Sequence, residues 1–579
     1  MKIQNIALAG LIALSGLTSC EDYLDVVNPN YQSSESFGTQ ETDLEELVIA
    51  CYNRIRIEGT YARVGYLIDV VAGDEVNSYS DNDWWRAYDY LNASPAVTND
   101  DSPLHWVFRD FYYTIKTSNQ LLFFADNSGI DQNSDLYKRS RGQGLFIRAL
   151  SYYELACYYQ NIPLITDYNA LTINDMINAT NTQDEILDQV EKDLAEAMTI
   201  LPSCDEGGEW ASGRATCGAA AGYYARVLMF RHKYSEALAV LKDIINGKYG
   251  QYQLNADYGD NFRSTVENTQ ESLWEVQFLD YGVGGSDMEW TPTNNTKSST
   301  QGHALETVFG NGDVLGWNDL ASTPWLYQTF KSQRTKDGTV DPRLYWTLIS
   351  YEDDYKQMPG LANKAFTVDY SEHVTTGSRK GISVAKHTTA RENIYAQLAA
   401  PGLSCGVNIR LMRYSDVLLR AAECENEISG PTDQAIAWIN EVRSRAGLED
   451  LQLADFASAD ALFEQIANVE RPTEFGCEHG RMQDIIRWGW LYNDERLAQL
   501  RKHGCTYWNN DEKVGELPDS YSVADDDPFS HWHPGHEYLP ITTYNMNINA
   551  ALEGNSANNS TPNTPNFKVH PVVKGIGVQ

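Results

Sequence analysis

The stretch ATCGAAAGYYARVLMFRHKYSEALAVLKDIING, residues 215–247, decides the fold. Apolar residues recur at helical spacing on both sides of a polar break at Arg231-His232-Lys233, so the stretch predicts two helices joined by a short turn. Gly218, Ala219, Ala220 and Ala221 keep the first helix thin enough for its partner to pack closely. Tyr234 and Ala237 open the second helix and Gly247 stops it. A similar unit recurs at MRYSDVLLRAAECENEISGPTDQAIAWINEVRSRAGL (412–448), where Gly430-Pro431 makes the break and Ala435 takes the place of Ala237. RGQGLFIRALSYYELACYYQ (141–160) predicts a further helix with Leu145, Ala149, Tyr152 or Tyr153, and Ala156 on one face.

Each two-helix unit resembles a tetratricopeptide helix–turn–helix, in which small residues on one helix accept large ones from its neighbour. The units are irregular and far apart, which predicts a mostly α scaffold rather than a regular solenoid. Between Tyr249 and about Ala400 the helical period fades, Gly, Asn, Ser and Thr rise, and short runs such as SLWEVQF (272–278) read as strands. From Asn555 the tail GNSANNSTPNTPN is low in complexity and reads as extended. The predicted organisation is a signal peptide (1–19), a tether (20–40), an N-terminal helical region (41–250) and a C-terminal region (251–579) with a loop-rich insertion at 251–400.

Upstream of Cys20, Lys2 gives a positive start and Ile6 to Leu17 form an apolar run, too short for a membrane span and right for a signal peptide. Leu17-Thr18-Ser19-Cys20 resembles the lipobox of bacterial lipoproteins, in which the cysteine becomes the lipidated first residue. Two or three acyl chains give stable anchoring at ~0.8 kcal/mol per buried CH₂. An ordinary secretory signal is the competing reading. No later segment has eighteen uninterrupted apolar residues, so no transmembrane helix is predicted.

Composition excludes more than it names. Eighty acids against 44 bases give a net charge of −36, which repels nucleic acid phosphates. With 11% aromatics, the chain is far from a disordered composition. The eight cysteines after Cys20 show neither CxxC nor zinc spacing. Cys157, Cys217 and Cys424 sit among alanines as small apolar residues. Cys204 and Cys217 flank a polar loop and are placed to allow one bridge.

Taken in order, these blocks resemble the SusD/RagB family of surface lipoproteins. EDYLDVVNPN follows the lipobox; then come RGQGLFIRALSYYELACYYQNIPLIT (141–166), the helical pair at 215–247, DPRL (341–344), RYSDVLLRAAECENE (413–427), INEVRSRAGL (439–448) and ERPTEFGCEHGRMQDIIRWG (470–489). Gln160 and Asn161 depart from the family's glycine, and YLPITTYNMNINAAL (538–552) lacks its second proline. The resemblance implies four tetratricopeptide-like helix pairs with a loop-rich ligand-facing half. It also implies a non-enzymatic protein that captures oligosaccharides, or less often peptides, for a SusC-like TonB-dependent transporter in the outer membrane. Glu21 and Asp22 resemble the acidic signal that sends such lipoproteins to the outer face. No cofactor is implied.

A pyranose face stacks its C–H bonds on flat rings, and its hydroxyls need amides, carboxylates or guanidinium groups between them. GDEVNSYSDNDWWRAYDY (73–90) offers this most densely, with Tyr79, Trp84, Trp85, Tyr88 and Tyr90 interleaved with Asp74, Asn77, Asp81, Asp83 and Arg86. The family's N-terminal glycan contacts come from this region. Trp290 and Trp317 lie in polar, glycine-containing surroundings of the loop-rich half, similar in placement to the family's second aromatic wall. The predicted glycan-binding set is Asp74, Asn77, Tyr79, Asp81, Trp84, Trp85, Tyr88, Trp290 and Trp317. Trp325, in the helical pattern PWLYQTF, is predicted to pack.

Other signals are weaker. Gly402-Leu403-Ser404-Cys405-Gly406 matches GxSxG but follows Pro401 and lacks the strand–helix series that a nucleophile elbow needs. His531, His533 and His536 flank a Pro-Gly turn and lack a fourth ligand at zinc spacing. Asp81-Asn82-Asp83 begins like a calcium loop without its Gly and terminal acid, so no metal site is predicted. Glu470, Glu474, Arg481, Asp484 and Arg487 read as a structural ion network beneath Trp488 with charges paired along helix faces. The rival functions are a peptide-binding or tetratricopeptide-type adaptor and a two-carboxylate glycoside hydrolase.

Overall fold

The computed structural model describes residues 41–78, 103–168, 181–279, 302–310, 317, 319–350, 382–388, 391, 405–503, 529, 531–542 and 562–578. Cys20, with the rest of the signal and tether, lies outside them. The first half holds α1 (Glu41–Arg54), α2 (Val64–Ala72), β1 (Val76–Ser78), α3 (Pro103–Asn127), α4 (Asp135–Tyr159), α5 (Gln183–Ile200), α6 (Cys217–Phe230) and α7 (Tyr234–Ile245). Next come β2 (Ser272–Val276), β3 (Leu320–Ser322), α8 (Pro324–Ser332), α9 (Arg343–Thr347), β4 (Leu348–Ile349) and β5 (Ile382–Val384). The chain continues through β6 (Ile409–Arg413), α10 (Tyr414–Ser429), α11 (Asp433–Arg445), α12 (Ala459–Gln465), α13 (Arg471–Phe475), α14 (Arg481–Arg487) and α15 (Asp494–His503).

Eight helices form one row in which each packs on the next: α1, α3, α4, α5, α6, α7, α10 and α11. They fall into four pairs, α1/α3, α4/α5, α6/α7 and α10/α11, as the family resemblance implies. The ends are set locally. Ser134, Thr182, Thr216 and Thr432 each accept a backbone N–H at the start of α4, α5, α6 and α11, worth about 1 kcal/mol apiece. Gly430, at φ +75°, ends α10 where an L side chain would be strained.

Two sequence expectations change at the level of packing. In α6, Gly218 and Gly222 make room for the β-ribbon side rather than for α7. A Cβ on Gly218 would lie 2.0 Å from the Tyr252 hydroxyl, and one on Gly222 would lie 2.5 Å from the Met412 sulfur. In α4, every residue from Gly142 to Tyr159 is buried, so it has no single apolar face. Its last turns are covered on the far side too: Tyr153 donates to Gln483, and Tyr158 pairs with His479 at 2.8 Å.

Two sheets complete the core. Strands β1, β3, β5 and β4 form an antiparallel sheet in that order, while β2 pairs antiparallel with β6 in a separate ribbon. Trp325 packs as expected, its ring stacked 3.9 Å from His503. Cys204 and Cys217 are free thiols, so the bridge allowed by their spacing is not formed.

The ion network of residues 470–487 exists, but most of its bonds leave the segment. Only Asp484 with Arg487 and with Arg471 pair inside it. Helix α13 is the last turn of a continuous helical run that begins at Ala459, and α14 starts only after the break at 476–480, so residues 470–487 share no single long face for repeated pairing. Glu474 instead accepts from Arg445 at 2.5 Å, Arg413 at 2.7 Å and Arg343 at 3.1 Å. Arg413 also reaches Glu271 and Glu478. Arg487 and the Trp488 indole both donate to Glu423, and Asp416 gathers Arg226, Arg420 and Arg471. Burial alone would raise the Glu474 pKa, but Arg445, Arg413 and Arg343 hold it well below the usual carboxylate range.

Removing one member of such a cluster strands the others in low dielectric. Glu474→Gln is expected to cost about 3–5 kcal/mol, read as a fall in thermal midpoint by circular dichroism. An unchanged midpoint would contradict the role given to Glu474.

The tail at 562–578 contains no regular element yet docks on the helices. Phe567 lies 3.8 Å from the His232 ring and His570 stacks 4.1 Å from Phe463. Arg496 donates to the carbonyls of His570 and Pro571. The His570 imidazole bridges Asp460 at 2.6 Å and Glu427 at 2.7 Å. Burial would lower its pKa, but Glu427 and Asp460 raise it above the ordinary value. A raised folded pKa gives stability that is complete below the unfolded value of about 6.5 and is lost as pH rises through the folded one. Amide exchange across 562–578 is therefore expected to speed up from about pH 6 to about pH 9 beyond the intrinsic base catalysis, and His570→Ala should abolish the excess.

Candidate functional site

The register of the four-stranded sheet relates two of the sequence regions predicted to bind. In the β1–β3 pair, Val76 faces Ser322, Asn77 faces Ala321 and Ser78 faces Leu320. The end of β1 therefore lies beside the start of β3. Ser78, which precedes the aromatic-rich segment in sequence, therefore lies opposite Leu320, three residues after Trp317. Trp317 is half-buried, and its backbone N–H donates to Thr307 at 2.7 Å. Two residues later the Asp319 N–H donates to Val308 at 2.9 Å, so the helical turn Leu305–Phe309 holds the approach to β3. Arg63, at the start of α2, is 2% exposed and carries a pKa lowered by burial against the opposing pull of Glu58 and Asp319.

Of the predicted glycan contacts, Tyr79, Asp81, Trp84, Trp85, Tyr88 and Trp290 lie outside the described residues. Trp317 is half-buried and precedes β3 by three residues. Asp74 and Asn77 are corrections, since both are 0% exposed. The Asp74 carboxylate is gripped by Arg481 through two bonds of 2.7 and 2.9 Å and by His503 at 2.9 Å. Burial opposes ionisation of Asp74, but Arg481 and His503 hold its pKa well below the ordinary range. The neighbouring Glu75 is pushed up to about 8 by burial, and accepts the Cys477 backbone N–H at 2.9 Å. These adjacent acidic side chains are buried internal anchors. Asn77 points inward because β1 is covered on both faces, and its amide has no partner among the described residues.

The anchor residue is Arg481, read from sequence as part of the 470–487 ion network but paired here with Asp74. Its guanidinium holds Asp74 at the root of β1 and lies 5.4–5.6 Å from the ring centres of Trp325, Trp488 and Trp490. The charge pattern marked Arg481 as a member of an ion network, but its partner is 407 residues away.

The other signals resolve as follows. Cys405 exchanges two backbone bonds of 2.8 Å with His303, and residues 401–404 lie outside the described residues. Among the described residues, no group of three or more His, Cys, Asp or Glu is arranged to hold a metal ion, and no helix is long and apolar enough to cross a membrane. A second concavity, of about 240 Å³, opens beside the β2–β6 ribbon. Its lining comes from residues 204–216, 251–252 and 268–275.

Asp74→Asn is expected to lower stability by about 3 kcal/mol or more by stranding Arg481. Any ligand binding should persist in the folded fraction. Loss of binding with an unchanged thermal midpoint would instead place Asp74 at the ligand.

Comparison with known proteins assigns this architecture. The model of the SusD family matches residues 270–558, and one described as "Starch-binding associating with outer membrane" matches residues 22–229. A SusD-like protein of Formosa agariphila is 23% identical over 575 residues, covering 97% of this chain and 99% of its own length. A SusD superfamily protein from Bacteroides vulgatus superimposes with a TM-score of 0.67 at 22% identity, covering 89% of this chain and 98% of that one. Surface glycan-binding protein A from Bacteroides thetaiotaomicron, in complex with laminarihexaose, gives a TM-score of 0.63 at 22% identity, with 89% and 98% covered.

Proposed function

Because this chain belongs to the SusD/RagB family, we propose that it is a cell-surface glycan-binding lipoprotein that passes oligosaccharides to a SusC-like, TonB-dependent outer-membrane transporter. The observation that supports the reading is the β1–β3 register, which sets Ser78, the residue before the aromatic-rich segment of Tyr79, Trp84, Trp85 and Tyr88, opposite Leu320, three residues after Trp317. The laminarihexaose-bound relative of the same fold supports a saccharide as the ligand class. In this reading Trp84, Trp85 and Trp317 supply stacking surfaces, Asp81 supplies a polar contact, and Trp290 belongs to the second aromatic wall. No bond is made or broken. Lipid on Cys20 tethers the protein to the outer membrane, facing outward, and the transporter takes the ligand onward.

A shallow aromatic platform buries only part of its ligand, so affinity rests on a few rings. Removing one stacking tryptophan is expected to weaken binding about tenfold, the equivalent of ~1.4 kcal/mol. Affinity electrophoresis in laminarin gels, followed by a wider glycan array, tests this with Trp84→Ala, Trp85→Ala and Trp317→Ala. Retarded wild-type protein and faster variants are expected. Equal retention of all three variants would remove the site assignment, and binding confined to peptides would favour the peptide-capturing reading.

A further inference from the structure

We propose that Cys204 and Cys217 form a redox-responsive pair, closed to a disulfide when an external disulfide oxidant reaches it. The proposal goes beyond glycan binding and does not depend on it. Both thiols are free in this structure. Cys204 opens the short 3₁₀ turn Cys204–Glu206 and Cys217 is the first residue of α6, so neither is locked inside a helix.

Several contacts bring the two together. The Cys217 N–H donates to the Pro202 carbonyl at 2.9 Å, which lays the chain just before Cys204 against the start of α6. The Cys217 thiol donates to the Tyr249 carbonyl at 3.5 Å. The Cys204 sulfur lies against the very next residue, where a Cβ on Gly250 would come within 2.7 Å of it. The Tyr252 hydroxyl hydrogen-bonds the Cys204 thiol. That same hydroxyl lies 3.4 Å from the Thr216 hydroxyl and directly against Gly218, the two neighbours of Cys217 in sequence. Burial, reinforced by the nearby Cys204 thiol, pushes the Cys217 thiol up to about 11. A thiol of high pKa is a poor leaving group, so a bridge formed here is slow to reopen and acts as a staple.

Cys204 is half-buried and lines the concavity of about 240 Å³, whereas the other described cysteines are buried. It is therefore the thiol that a small oxidant meets first. Its thiolate attacks one sulfur of the oxidant, forms a mixed disulfide and expels one thiolate. Cys217, after losing its proton to solvent, attacks the Cys204 sulfur and expels the second. Two protein thiols are oxidised, one external disulfide is reduced to two thiols, and the released thiolates take up the two protons. Closure requires the Cys204 side chain to rotate away from Tyr252, which its place on a short turn permits. A cell-surface location, as proposed above, is an oxidising setting for such a pair, although the chemistry needs only the oxidant.

Treating the full mature chain with oxidised glutathione tests the proposal, read by intact mass, tryptic mapping and thermal midpoint. The expected result is loss of two hydrogen atoms and a cross-link joining tryptic peptide 193–214 to 215–226. The thermal midpoint is expected to rise by about 2–3 °C, and reduction should reverse all three changes. Cys204→Ser and Cys217→Ser should each abolish the cross-link and the rise, with Cys204→Ser standing alone if the change at buried Cys217 melts early. An unchanged mass, glutathione retained on Cys204 beside a free Cys217, or a bridge to another cysteine or another molecule would each overturn the proposal. So would a midpoint that stays level or falls on oxidation.

Discussion

Three arginines from three separate parts of the chain converge on the buried carboxylate of Glu474. Arg343 comes from α9, Arg413 from the end of β6 and Arg445 from the end of α11. Each also has a further acid, Asp341 for Arg343 and Glu271 for both Arg413 and Arg445. Buried charge of this kind tolerates few alternative arrangements, because every misplaced partner leaves an ion unpaired in low dielectric. The cluster thus ties the loop-rich insertion, the β-ribbon and the last helix pair into one geometry.

The same segment reaches the four-stranded sheet. Seven residues after Glu474, Arg481 clamps Asp74 at the root of β1. His479 lies between Tyr158 of α4 and the Tyr66 ring of α2, and Glu154 and Asp69 raise its pKa against burial. The strand from which the aromatic segment departs is therefore held by charges on a helix turn near the other end of the sequence. The four-stranded sheet is thus fixed at its β1 end by the same segment that carries Glu474.

Legibility followed the range of the interactions. The turn at Arg231-His232-Lys233 and the break at Gly430-Pro431 are local events written in local residues, so both helix pairs were readable from sequence. SLWEVQF announced its strand by composition, and Trp325 its packing by helical spacing. The burial of Asp74 and Asn77 was not readable. Polar residues beside aromatics look the same in a loop as on a short strand, and Arg481 is far away in sequence. The network at 470–487 was visible as a charge pattern but not as a set of partners, because pairing depends on how short helices turn. The docked tail was opaque for the same reason: its contacts are Phe463, His232 and Arg496, none of them near in sequence.

Hydrogen exchange resolved by segment tests the central claim that buried ion pairs weld the scaffold to the platform. Residues 409–413, 471–487 and the root of β1 at 74–78 should open together, with protection close to that of α6. Early, independent exchange of 471–487 while β1 and β6 stay protected would contradict the account.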